Sequence, residues 1–204
     1  LLPSDNNPAQ AEEFVRGEEH TFETVTIGGR TVWSSSTEYV PSPLKVLENQ
    51  WMQYALIMPR EMDPPHVRAF ADINTRALQA LGMQNGLSHM ERFVREDGSM
   101  VVSEVGARPP GANIMPMLAA AHGADPWAAW AQLMVHRTWH MPARKYAAGS
   151  VFLRAMGGAD VVRGVEGIDK LRQLLGPALV DMKAPQPGQP RSSHRLRADP
   201  HHHH

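Results

Sequence analysis

The sequence predicts an α+β fold, with antiparallel hairpins flanked by helices. Three observations predict it. Gly28-Gly29 separates two alternating runs, Thr21–Ile27 and Arg30–Ser36. Paired glycines there signal a hairpin, because the turn needs positive φ at its centre. Asp97-Gly98 stands in the same way between Phe93-Val94 and Val101-Val102. Between the two hairpins, residues 66–82 place Val67, Phe70, Ile73, Leu78 and Leu81 at helical spacing, and Gly82 is suited to end that helix.

The remaining elements follow in chain order. Residues 1–10 are turn-rich and read as a loop. Prolines 41, 43, 59, 64 and 65 break up the piece from Pro41 to Pro64, which reads as irregular. After the second hairpin, residues 113–137 read as one long helical stretch, with Trp127, Trp130 and Met134 expected against the core. In 149–193, "GSVFLRAM" reads as a strand, "GIDKLRQLLG" as a short helix and "LVDMKAPQPGQP" as a strand ending in a turn. This segment reads as a small, truncated α+β appendage. The expected division is 1–148 for the main unit, 149–193 for the appendage and 194–204 for a tail. His201–His204 read as the remnant of an expression tag and are set aside.

Composition narrows the function classes. The chain has 204 residues, 42% of them hydrophobic, a formal charge of −1 and no cysteine. There is material for a core, but no electrostatic case for nucleic acid or an anionic membrane. Arg191, His194, Arg195 and Arg197 form only a weak basic cluster, read as a solvated tail. Thiolate metal sites, disulfides and cysteine nucleophiles are excluded. No apolar run reaches the roughly 18–20 residues needed to span a membrane. No secretory signal is visible, and a cytoplasmic location is expected. The twelve methionines read as core filler. The start at Leu1-Leu2, without Met, suggests that the natural N-terminus lies upstream.

The second hairpin raises a chemical question. With Asp97-Gly98 as a two-residue turn, Phe93 faces Val102, Arg92 faces Ser103, Glu91 faces Glu104 and His89 faces Gly106. Directly opposed side chains have Cβ atoms about 4.5–5.5 Å apart, and like charges there are destabilising unless neutralised. A proton or a cation can neutralise them. Mg²⁺ suits a carboxylate pair and leaves room for phosphate oxygens and water. The plainer alternative is a slipped register or two side chains splayed into solvent. Phe93 and Val102 beside the pair count against a simple solvated face. Arg108, Pro109-Pro110-Gly111 and a helix start near Ala112–Asn113 follow, a combination that favours anions.

Two separated motifs resemble those of the ATP-grasp superfamily, especially its carboxylate–amine ligase and biotin-carboxylase-like members. "EEFVRGEEHTFETVTIGGRTV" (Glu12–Val32) looks like the hinge strand that meets adenosine. "GLSHMERFVREDGSMVVSEVGARPPG" (Gly86–Gly111) looks like the metal-binding hairpin. The resemblance spans roughly residues 10–150, and the appendage resembles the family's C-terminal subdomain. It implies the C-terminal lobe of an ATP-grasp domain, an antiparallel sheet with flanking helices, that uses ATP and Mg²⁺. Glu12 would accept a hydrogen bond from the adenine amino group through its backbone carbonyl. Val15 would offer its backbone amide to an adenine nitrogen, and Glu19 would accept from the ribose hydroxyls. Phe93 would wall the adenine slot. Glu91 and Glu104 would hold Mg²⁺, and Arg108 would steady charge on the γ-phosphate or an acyl phosphate. His89 could touch substrate or phosphate, or be a packed structural histidine.

The implied activity is an ATP-dependent carboxylate–amine ligase that acts through an acyl phosphate on a small carboxylate and an amine. Two departures qualify it. Gly106 stands where many members carry an asparagine metal ligand. The family's phosphate-clamping Gly-rich loop and lysine, which lie upstream of the hinge, have no counterpart here. The chain therefore reads as the C-terminal part of a larger ligase, inactive or weakly active alone. Two alternatives stay open. One is a non-catalytic nucleotide- or metal-binding fragment that self-associates as a homo-oligomer. The other is a bicarbonate-using carboxylase.

Overall fold

The computed structural model describes residue 4 and residues 8–49, 51–62, 65–154 and 160–190. The basic cluster at 191–197 and the terminal histidines lie outside them. Six strands form one antiparallel sheet: β1 (Glu18–Ile27), β2 (Arg30–Val40), β3 (Tyr54–Met58), β4 (Gly86–Val94), β5 (Met100–Gly106) and β6 (Ala148–Phe152). Their order across the sheet is β5-β4-β1-β2-β3-β6. The helices are α1 (Pro43–Glu48), α2 (Pro65–Ala80), α3 (Ile114–His122), α4 (Pro126–His136) and α5 (Ile168–Leu175). The α+β class and the antiparallel sheet with flanking helices are as the sequence predicts.

The first hairpin closes at Gly28 and Gly29, with φ of 58° and 73° and Ile27 opposite Arg30. Strand alternation then divides β1 between the two faces of the sheet. Val25 enters the larger core with Leu56, Met58 and Leu87 from the sheet and Ile114, Met115, Leu118 and Leu133 from α3 and α4. Phe22 points the other way and packs on Val67 and Phe70 of α2. Glu19 of β1 and Phe93 and Glu91 of β4 share the Val25 face.

Several elements differ from the sequence reading. The inner face of α2 is Val67, Phe70, Asn74 and Leu78, while Leu81 is 67% exposed. Asn74 takes the inner position because its Nδ2 donates to Thr24 Oγ1 at 2.6 Å. Residues 113–137 form two helices rather than one. Gly123 ends α3 at φ 66°, and Asp125 caps α4 by accepting from the amides of Trp127 and Ala128. The buried face of α4 is Pro126, Ala129 and Leu133, which leaves Trp127 and Met134 about half exposed. The irregular piece contains β3, between β2 and β6. β6, read as the first strand of an appendage, is the edge strand of the main sheet, so the division at 148/149 runs through it. α5 forms as read, whereas no strand forms over 179–189 and only a bridge joins Val161 to Pro190.

Candidate active site

The opposed glutamates lie within the paired strands β4 and β5, a few residues from the loop that joins them. The loop is one residue longer than a two-residue hairpin. Arg95 N donates to Ser99 O at 2.8 Å, Gly98 N donates to Arg95 O at 2.9 Å, and Gly98 has φ 79°. A three-residue loop with glycine in the left-handed region is a standard alternative. Asp97 Oδ1 accepts from Ser99 N at 2.8 Å, which helps fix the longer loop. As a result Val94 faces Met100, Phe93 faces Val101 and Arg92 faces Val102, each one residue off the predicted pairing. A bulge between Glu91 and Arg92 then takes up Ser103 and restores the register, so Glu91 faces Glu104 and His89 faces Gly106. Glu91 and Glu104 are therefore direct cross-strand partners despite the slip nearer the loop.

Beside them is a cleft of about 560 Å³. Glu12, Val15, Glu19 and Phe93 all line it, with Leu44 and Leu47 from α1 and Val101 from β5 among the apolar walls. Glu12 and Val15 lie in an irregular segment before β1, so the predicted hinge strand begins only at Glu18. That segment is held by Arg95, whose Nη2 lies 2.9 Å from Glu13 Oε1. At Gly17 the chain passes so close to β4 that a Cβ would sit 2.5 Å from the Val94 carbonyl oxygen.

The floor between cleft and core carries unusual charge. Glu19, Thr21 and Glu23 alternate along β1 and face Phe93, Glu91 and His89 of β4. Burial, and then the Glu91 carboxylate, raise the Glu19 carboxyl to about 7. Burial, followed by Glu91, Glu23 and Glu19, pushes the Tyr39 hydroxyl upward as well. His89 is only 5% exposed and does not line the cleft. Its Nδ1 is 3.0 Å from Glu23 Oε1 and its Nε2 is 3.4 Å from Glu91 Oε1. Burial opposes its positive charge, but the hydrogen bonds to Glu23 and Glu91 outweigh that and raise its pKa to about 9.

No protein-family model matches the chain, and no curated protein matches it. Solved structures do. The L-amino acid ligase from Bacillus licheniformis superposes with a TM-score of 0.59 at 20% identity, over 78% of this chain and 39% of that one. Phosphoribosylglycinamide synthetase from Anaerococcus prevotii gives 0.55 at 10% identity, over 74% and 42%. The phosphoribosylaminoimidazole carboxylase ATPase subunit from Aquifex aeolicus gives 0.52 at 14% identity, over 88% and 50%. The chain has the ATP-grasp fold. It spans half or less of the length of each of these structures.

In this ATP-grasp lobe, the Arg108 side chain lies against the glycine at 106. A Cβ at Gly106 would meet Arg108 Cγ and Nε at 3.3 Å. The arginine lies across the space that an asparagine side chain would enter, and its Nη1 donates to the Pro109 carbonyl at 3.2 Å. Among the described residues, no group of three or more His, Asp or Glu side chains is arranged to hold a metal ion. The sequence reading missed Glu23, Tyr39 and Arg144. Arg144 reaches under the sheet, donates to Ser35 Oγ at 2.7 Å and also donates to the Pro59 carbonyl. Glu23 was detectable as the next same-face position after Glu19 and Thr21. Arg144 follows α4 with no motif to mark it.

Proposed function

We propose that this chain is the nucleotide- and metal-binding lobe of an ATP- and Mg²⁺-dependent carboxylate–amine ligase. One observation carries the proposal. Glu91 and Glu104 stand directly opposed beside a cleft lined by Glu12, Val15, Glu19 and Phe93. Two carboxylates fit Mg²⁺, which is commonly bound through one or two carboxylates together with phosphate oxygens and water. The ion would neutralise charge on the nucleotide phosphates and on the phosphoryl group in transfer.

The chain's residues divide the rest of the work. Phe93, Leu44 and Leu47 would take the adenine ring out of water. The backbone at Glu12 and Val15 would read its edge, and the Glu19 carboxylate would accept from ribose hydroxyls. Arg108 would face the charge that develops as the γ-phosphate passes to a substrate carboxylate oxygen. ADP leaves and an acyl phosphate forms. An amine nitrogen then attacks the acyl carbon, phosphate departs, and the nitrogen loses a proton to give the amide. The acid and amine are small molecules, and a cytoplasmic setting is part of the same proposal.

Calorimetric titration with MgATP tests it, run on the wild type, Glu91→Gln and Glu104→Gln. The proposal expects binding that either substitution weakens at least tenfold. Binding indifferent to both would refute the site. ADP release with a mixed amino-acid pool, and separately with bicarbonate, distinguishes ligase from carboxylase. Nucleotide binding without ADP release is expected of an isolated ligase lobe and of the non-catalytic alternative alike, so self-association separates those two. That alternative draws support from the half-exposed Trp127 and Met134 on α4 and from exposed Val151 on the edge strand, and light scattering would reveal its self-association.

A further inference from the structure

We infer that Glu23 is a positioning residue that acts through the His89 imidazole on Glu91. The inference rests on the proposal that Glu91 and Glu104 hold the metal–nucleotide complex. Glu23 is fully buried, in the middle of β1, where a carboxylate is costly unless charge and hydrogen bonds compensate. Packing does not require one there. Its direct neighbours in the sheet are Ser35 on β2 and His89 on β4.

The geometry makes the ring a strut. Glu23 Oε1 engages His89 Nδ1 at 3.0 Å, and His89 Nε2 faces Glu91 Oε1 at 3.4 Å. The far end of the strut is a carboxylate whose side chain is 30% exposed, and the near end is fully buried. A surface glutamate is thus tied through one rigid ring to the interior. On the other side of His89 stands Gly106, with the Arg108 side chain over it. Behind Glu23, Arg144 supplies positive charge and is itself fixed to Ser35. Residues that orient a metal-binding side chain from behind commonly alter metal affinity by about 10–100-fold when substituted.

The test has two arms. The first uses the metal-free protein and long-range ¹⁵N NMR of the His89 ring. Glu91→Gln should shift the Nε2 resonance, and Glu23→Gln should shift Nδ1. An Nε2 resonance indifferent to Glu91→Gln overturns the strut, whether or not nucleotide binds. The second arm measures Mn²⁺ affinity in the presence of ADP by electron paramagnetic resonance. Glu23→Gln should weaken it about 10–100-fold, and in a His89→Ala background the same change should have no further effect. A purely structural role would leave the two losses additive. Thermal melts check folding, and Glu23→Asp, which keeps the charge but shortens the reach, serves if Glu23→Gln does not fold. Its expected loss is smaller and equally absent in His89→Ala. If Mn²⁺–ADP binds, is lost in Glu104→Gln and is unchanged in the Glu23 variant, the inference fails while the proposed function stands. If Mn²⁺–ADP does not bind the wild type at all, the proposed function fails and the NMR arm decides the strut.

Discussion

Replacing Glu19 with glutamine removes a carboxyl group that the fold holds at about 7, against an ordinary value of 4.5, through burial and then the Glu91 charge. A raised carboxyl pKa means that the folded state binds the proton more tightly than the unfolded chain does. Below pH 4.5 both states are protonated and no penalty exists. From pH 4.5 to about 7 the unfolded chain ionises first, so stability falls as pH rises. Above about 7 the penalty is constant. The gap of about 2.5 pH units, at about 1.4 kcal/mol each, gives about 3.5 kcal/mol as an upper bound. Glu19 lines the cleft and is partly exposed, so solvent screening reduces this to about 1–2 kcal/mol. Urea unfolding at pH 4.5, 6 and 8 measures it. Glu19→Gln should match the wild type at pH 4.5 and exceed it by about 1–2 kcal/mol at pH 8. A variant that tracks the wild type across the range, or loses stability at pH 8, would refute the account of this floor.

Three further predictions follow from packing and site geometry. Gly17→Ala places a Cβ against the backbone of Val94 and Arg95 rather than against a flexible side chain, so it should cost about 1–3 kcal/mol in a denaturant titration. It should also weaken nucleotide binding by displacing Glu12 and Val15. Asp125→Ala removes the cap that accepts from Trp127 N and Ala128 N and should cost about 1 kcal/mol with unchanged nucleotide affinity. Phe93→Ala opens the cleft wall and should weaken ADP binding at least tenfold by calorimetry, while inorganic phosphate does not compete differently.

The sequence disclosed what depends on local chemistry. Gly28-Gly29 specified the first hairpin because few other residues adopt two successive positive φ values. The Glu91–Glu104 pairing was also predicted correctly, but by a compensation invisible in the sequence. The loop is one residue longer than assumed, and the bulge at Ser103 shifts the pairing back. β3 was missed because "YALIM" is a short apolar run with little alternation, which periodicity cannot assign to a buried strand. The break between α3 and α4 was legible in Gly123 and Asp125, but the continuous apolar character of 114–135 masked it. The Glu23–His89–Glu91 chain needs β1 and β4 paired in register before it exists, so only the fold could reveal it.

The central claim is that Glu91 and Glu104 share one divalent ion with a bound nucleotide. Crystals grown with Mn²⁺ and ADP test it through the anomalous signal of the metal. The account predicts one peak within bonding distance of an oxygen from each glutamate and of an ADP phosphate oxygen. A peak bound by neither carboxylate, or an adenine ring outside the cleft walled by Phe93, would contradict it.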